Sequence, residues 1–297
     1  MTEQAGSGSR DDLDLDCFPD NSNTDGNLVE PTTYRDCGRC RRPQSVCLCS
    51  ALPHAPLKLH GKLLVLQHPL EARKRMATVP LLDLCLKDCT LIRGRKFSVE
   101  KTSGLGDALH TAKQMGSPIY VLFPGAEARD LADMVRVHSQ ERHLEGGLQV
   151  QQAAAEPHVT HRGSHSPPWT YLLIAIDGTW RQGKEIFKVL MPLLEGFQAD
   201  VVHLPLDSIP RENWECALKR EPSLGCMTTA EAVARALGIL EGSNEVQAAL
   251  LAPLRQMTAL QAAFDPATRA RIDKGNEMMS ISKRNFGFKM PKALIPA

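Results

Sequence analysis

The sequence predicts an α/β domain with a mostly parallel sheet covered by helices on both faces. Two observations carry that prediction. Short apolar runs of strand length alternate with longer segments of helical character along most of the chain. The strands are also apolar at nearly every position, the pattern of strands buried on both sides. A third feature sits outside the sheet: four cysteines crowd into residues 37–49.

The first strand is Lys62-Leu63-Leu64-Val65-Leu66-Gln67, stopped by His68-Pro69. A helix is predicted over 70–87, with Arg73, Lys74 and Arg75 near its start and Leu81, Leu82, Leu84 and Leu86 as its apolar contacts. Thr90-Leu91-Ile92 forms a shorter strand, and 104–115 a further helix. Ile119–Phe123 is a strand that runs directly into Pro124-Gly125-Ala126-Glu127-Ala128, with a helix expected from near Glu127 to about Val137. Residues 139–168 lack an apolar period and read as a surface insertion.

The clearest strand is Tyr171–Ile176, followed at once by Asp177-Gly178-Thr179-Trp180 and a helix through about Leu190. Val201–Leu204 is a further strand. Thr228-Thr229-Ala230-Glu231 opens a helix to Leu240 with the spacing of a capping box, Thr228 capping and Glu231 reaching back. A last helix spans about Glu245 to Phe264. In an open parallel sheet, ligands sit outside the carboxyl ends of the strands. Pro124–Glu127 and Asp177–Trp180 both fall at such ends, so they line one crevice if their strands are neighbours.

The 297 residues comprise 42% hydrophobic and 23% charged residues, enough to bury a sizeable core. No run approaches the roughly 18 apolar residues of a membrane helix, and the N-terminus has the marks of neither a signal nor a transit peptide. The net charge of +1 conceals an asymmetry. Residues 1–30 hold eight acids and one base, leaving 34 bases against 26 acids in the remainder. An acidic tail on a basic body suits a polyanionic partner. The expected organisation is a disordered acidic tail at 1–33, a four-cysteine knuckle at 34–56, a catalytic domain at 57–265 and a basic tail at 266–297. Cytoplasm, nucleus or both fit this composition. Nothing in the sequence sets the oligomeric state.

Three constellations carry chemistry. Cys37-x2-Cys40-x6-Cys47-x-Cys49 supplies four thiolates for one tetrahedral zinc. Such a site has no open position, so its role is structural. Arg39, Arg41 and Arg42 on the same loop, with Arg73, Lys74 and Arg75, are candidates for the nucleic-acid backbone. In Asp177-Gly178-Thr179-Trp180, Asp177 is the candidate acid or base. Gly178 allows a tight turn, Thr179 caps the next helix, and Trp180 can stack on a base. Haloacid-dehalogenase phosphatases carry a related motif whose first Asp is the nucleophile. Ala175 stands at that position, which removes their chemistry. The third constellation is the Gly225–Glu231 loop, behind Lys219-Arg220, which can hold an anion at a helix N-terminus.

In order and spacing these elements resemble the DTW-domain family over roughly residues 35–260. The residues are the four cysteines, Gln67-His68-Pro69, Phe123-Pro124-Gly125-Ala126-Glu127, Asp177-Gly178-Thr179-Trp180 and the Gly225–Glu231 loop. Within the family the chain is most similar to the second eukaryotic paralogue group. The resemblance implies a SPOUT-like, knotted fold and a tRNA-uridine aminocarboxypropyltransferase. The donor is S-adenosylmethionine, the product 3-(3-amino-3-carboxypropyl)uridine in the D-loop, and the by-product methylthioadenosine. It assigns catalysis to Asp177, Thr179 and Trp180. It assigns cofactor binding to Phe123, Pro124, Gly125, Glu127, Asp177, Gly178, Gly225, Thr228, Thr229 and Glu231. Thr228-Thr229 departs from the Ser-Thr usual there. Two other readings fit: a SPOUT-type RNA methyltransferase, separated by its by-product S-adenosylhomocysteine, and a non-catalytic zinc RNA-binding module, which needs no cofactor.

Overall fold

Strand β1 (Lys62–Gln67) lies between β2 (Cys89–Arg93) and β5 (Leu172–Asp177), all parallel. This computed structural model describes residues 36–152, 170–205 and 227–273, apart from Arg75, Ser103, Arg271 and the side chains of 142–152. The sheet continues through β3 (Ile119–Leu122), β6 (Asp200–His203) and the two-residue β4 (Arg129–Asp130), giving the order β2-β1-β5-β3-β6-β4. Every pairing is parallel, as the continuous apolar runs predict. Because β3 pairs with β5, the two turns that leave their carboxyl ends are adjacent.

Side chains alternate between the faces of a strand, and the core divides accordingly. Leu63, Val65, Tyr120, Leu173, Ala175 and Val202 pack on one side with α2 (Val79–Cys85), α4 (Leu131–Gln152), α6 (Thr229–Leu240) and α7 (Asn244–Phe264). Leu64, Leu66, Ile119, Val121, Leu172 and Ile174 pack on the other with α3 (Leu105–Met115) and α5 (Trp180–Leu194). The cysteine knuckle joins the first of these layers through Cys40 and Leu48.

Two helices differ from the sequence reading. The helix expected over 70–87 is two short ones, α1 (Pro69–Ala72) and α2. Pro80 falls in the first turn of α2, where its missing N–H costs nothing, whereas in the interior of one helix over 70–87 it would remove a hydrogen bond and clash. Arg73 and Lys74 therefore lie in the connection rather than at a helix start. The helix expected from Glu127 begins instead at Leu131, after β4, where the Asp130 carboxylate accepts from the N–H groups of Ala132 and Asp133. It then continues to Gln152, so the first part of the 139–168 segment is helix. Glu, Gln and Arg residues there have good intrinsic helix propensity without an apolar stripe, and periodicity alone does not reveal such a helix. Residues 153–169 lie outside the described residues.

Helix α6 runs antiparallel to the strands. Its C-terminal residue Glu241 accepts hydrogen bonds from the His60 N–H at 3.0 Å and from the Tyr171 hydroxyl, both at the amino ends of β1 and β5. Twelve residues of helix span about 18 Å, close to the length of a six-residue strand. The N-terminus of α6 thus reaches the carboxyl edge of the sheet.

Candidate active site

Gln67 ends β1 and faces Asp177 at the end of β5 in register. The two side chains meet: Gln67 Nε2 donates to Asp177 Oδ2 at 2.8 Å. Gln67 Oε1 in turn accepts from Arg93 Nε at 3.4 Å, across the β1–β2 pairing. The main chain adds a second tie, as His68 N–H donates to the Asp177 carbonyl at 2.8 Å. Asp177 is 8% exposed and Gln67 fully buried. A carboxylate at the carboxyl edge of a parallel sheet, held at one oxygen by an amide, is a group that can accept a proton.

The next three residues lead into α5. A Cβ at Gly178 would lie 3.0 Å from Gln182 Cβ and 3.2 Å from Gly183 N, so a larger residue crowds the first turn of α5. Thr179 caps α5 in a full capping box: Thr179 Oγ1 accepts from Gln182 N–H, and Gln182 Oε1 accepts from Thr179 N–H at 2.8 Å. Its hydroxyl oxygen is thereby committed to the helix. Trp180 is 47% exposed and is therefore not a core residue. Its ring meets Phe123 edge to face at 6.4 Å, and Phe123 stacks on Phe187 at 4.3 Å. Phe123 leaves the carboxyl end of β3, so the two turns are adjacent and joined by this ring contact. Pro124, Gly125 and Glu127 of the first turn are exposed.

Asp177 continues the face that packs on α6, whereas Phe123 and Trp180 belong to the α5 face. At the sheet edge the carboxylate thus lies toward one face and the aromatic pair toward the other. Thr228 caps α6 at the same edge, its Oγ1 accepting from Glu231 N–H. The Glu231 carboxylate is fully buried and takes two N–H groups of Arg235, with the nearer contact at 2.8 Å. The predicted cap is present, with the acid turned to Arg235. Thr229 is the first helical residue, and Gly225 lies outside the described residues.

The four cysteines come together. The Sγ atoms of Cys37, Cys40, Cys47 and Cys49 all lie within 4.8 Å of one another, with Cys37–Cys49 at 3.4 Å and Cys40–Cys47 at 3.7 Å. A tetrahedral Zn–S distance near 2.3 Å places sulfurs about 3.8 Å apart, so the donor set and spacing fit zinc. Backbone N–H groups of Cys40 and Arg39 hold the Cys37 thiol down at about 6, and its contact with Cys37 pushes Cys49 up to about 12. The knuckle is built by Arg41 N–H donating to Cys37 O and Cys37 N–H donating to Arg42 O, with Arg41 in the left-handed region at φ 53°.

The arginines of this loop behave differently from one another. Arg39 donates to Pro53 O, and Arg42 to Val46 O and Met257 Sδ, so both are tied to the body. Arg41 and Arg73 are exposed. Lys74 is exposed and paired with the buried Glu71. Arg75 lies outside the described residues. Sequence reasoning gave no site role to Gln67 or Arg93. The available signal was a polar residue closing an otherwise apolar strand.

Fold and site together define a class: a parallel α/β domain with an enzyme-type site at the carboxyl edge and a four-cysteine cluster packed on one layer. The DTW domain matches residues 34–262, and the chain belongs to the DTW-domain family. It is 31% identical over 251 residues to a mouse protein named tRNA-uridine aminocarboxypropyltransferase 2, covering 82% of this chain and 70% of that one. It is 33% identical to the macaque protein of that name, over 78% of this chain and 66% of the other. An Arabidopsis thaliana protein named tRNA-uridine aminocarboxypropyltransferase A is 29% identical over 77% of this chain and 81% of its own. No solved structure matches the chain.

Proposed function

We propose that the chain is a tRNA-uridine aminocarboxypropyltransferase, moving the 3-amino-3-carboxypropyl group of S-adenosylmethionine to N3 of a uridine in the tRNA D-loop. The names of the relatives support the class. The observation that carries the chemistry is Asp177, nearly buried at the sheet edge and gripped by Gln67, three residues before an exposed tryptophan. We place the sheet in the SPOUT class, supported by its all-parallel order with β5 inserted between β1 and β3.

S-adenosylmethionine supplies an electrophilic carbon on a sulfonium whose thioether leaves uncharged, so departure needs no acid. The acceptor nitrogen carries a proton and is a weak nucleophile. Asp177 takes that proton as the N–C bond forms and the C–S bond breaks. The rim formed by Phe123–Glu127, Gly178 and the N-terminus of α6 holds the donor through backbone groups and helix-end charge. Trp180 offers its face to an unstacked base. Holding the aminocarboxypropyl carbon in line with N3, with the methyl turned away, selects this transfer over methylation. Arg41, Arg73 and Lys74 meet the RNA backbone.

The test is incubation of the purified protein with S-adenosylmethionine and unmodified tRNA, with mass spectrometry of nucleosides and by-products. Aminocarboxypropyluridine with methylthioadenosine is expected. A methylated nucleoside with S-adenosylhomocysteine would convert the reading to a methyltransferase. Cys37, Cys40, Cys47 and Cys49 hold a structural zinc in this reading. Cys40→Ser is expected to lose the metal and several kcal/mol of stability, because a structural zinc contributes its binding energy to folding. Metal analysis and a melting curve check it, and an unchanged curve with no zinc in either protein removes the metal from the reading.

A further inference from the structure

We propose that Gln67 is a positioning residue for Asp177, and that Arg93 fixes the Gln67 amide in the orientation this requires. The inference rests on Asp177 being the proton acceptor.

The three residues occupy one level of three adjacent strands: Gln67 is in register with Arg93 on β2 and with Asp177 on β5. Alternation along the strands puts them on the same face as Leu63, Val65, Leu91 and Ala175. Gln67 is fully buried at the end of a strand whose neighbouring positions are filled by Leu and Val. Leu or Met would fill that volume without the desolvation cost of an amide. The amide is satisfied at both ends, with Oε1 taking Arg93 Nε and Nε2 donating to Asp177 Oδ2.

The direction of this chain follows from donor chemistry. A guanidinium only donates, so Arg93 binds the oxygen of the amide. The NH2 group is thereby turned to Asp177, where an ionised carboxylate can only accept. Arg93 itself is anchored by the turn that follows it, as Gly94 N–H donates to Gln67 O at 3.0 Å. Among the described residues, Gln67 is the side chain seen to bond the Asp177 carboxylate. It engages one oxygen and leaves the other for the substrate.

The experiment is steady-state kinetics of the full chain with S-adenosylmethionine and a tRNA transcript, comparing Gln67→Met, Gln67→Glu and Asp177→Asn, each with a melting curve. Gln67→Met keeps the volume and removes the donor. Gln67→Glu keeps the oxygen for Arg93 and sets a carboxylate against Asp177. Both are expected to lower kcat about 10- to 100-fold, with KM for both substrates within about two-fold. Gln67→Met takes the donor from a buried carboxylate, so it should melt somewhat below the wild type and stay folded at the assay temperature. If both variants keep kcat within about two-fold while Asp177→Asn is inactive, the positioning role is wrong and the base assignment stands. A raised KM, or a fall in kcat that tracks the unfolded fraction at the assay temperature, also overturns it, since a structural role predicts that pattern. Full activity of Asp177→Asn removes the base assignment and this inference with it.

Discussion

The two ends of the sheet both hold a buried carboxylate, and they are built in opposite ways. At the amino end, the Glu241 side chain is 4% exposed and surrounded by donors: the His60 N–H, the His60 ring at 2.6 Å and the Tyr171 hydroxyl. At the carboxyl end, Asp177 meets a single side-chain donor among the described residues, Gln67. A saturated carboxylate cross-links elements. One gripped at a single oxygen stays available to a ligand. The amino end is also tightly fitted, since a Cβ at Gly61 would fall 2.2 Å from the Tyr171 ring and only glycine fits there. The carboxyl end instead exposes Trp180 and Leu70.

Asp177→Ala should cost about 10²- to 10⁴-fold in turnover, the range of general-base catalysis, with a melting temperature near wild type. A variant that unfolds instead would make the two ends alike. Tyr171→Phe should do the reverse, costing about 1–3 kcal/mol of stability by removing a donor from a buried carboxylate, with kcat unchanged. Denaturant unfolding beside a turnover assay separates the two. Trp180→Ala should raise KM for tRNA by about 1–3 kcal/mol of lost stacking while leaving melting alone, because the ring is half exposed.

A smaller effect sharpens the contrast through pH. Burial pushes the Tyr171 hydroxyl well above its ordinary range, and burial raises Cys85 to about 11 and Cys89 to about 12. Groups whose folded pKa is raised stabilise the fold fully below their unfolded pKa and lose that contribution as pH rises. Stability should therefore fall from about pH 9 through the thiols and further above about pH 10 through Tyr171. Tyr171→Phe should flatten the upper part of that curve. An unchanged alkaline slope in the variant would show that the hydroxyl is not held neutral by the fold.

The strands were legible because burial on both faces writes itself into the chain as unbroken apolar runs, and Leu172–Asp177 is the plainest case. The turns at Pro124 and Asp177 were legible because Pro, Gly and a capping Thr have local causes. The break between α1 and α2 was readable from Pro80 and was masked by the leucines around it. The continuation of α4 beyond 139 was hidden because an apolar stripe was the signal sought and that segment has none. Gln67 was visible as a residue and opaque as a site component. Its partner Asp177 lies 110 positions away, and only the strand order places them together.

That strand order has a consequence for how the protein comes into being. Strand β5 occupies the slot between β1 and β3, both of which leave the ribosome before it. The first two strands pair locally, but the central seam waits for β5, which begins 105 residues after β1 ends. Closing so long a loop is slow relative to local pairing. During synthesis the apolar flanks of β1 and β3 are exposed to whatever else will pair with them. A nascent chain arrested before residue 172 lacks Asp177 and the seam that seats it, so Asp177 meets Gln67 only after the centre of the sheet closes.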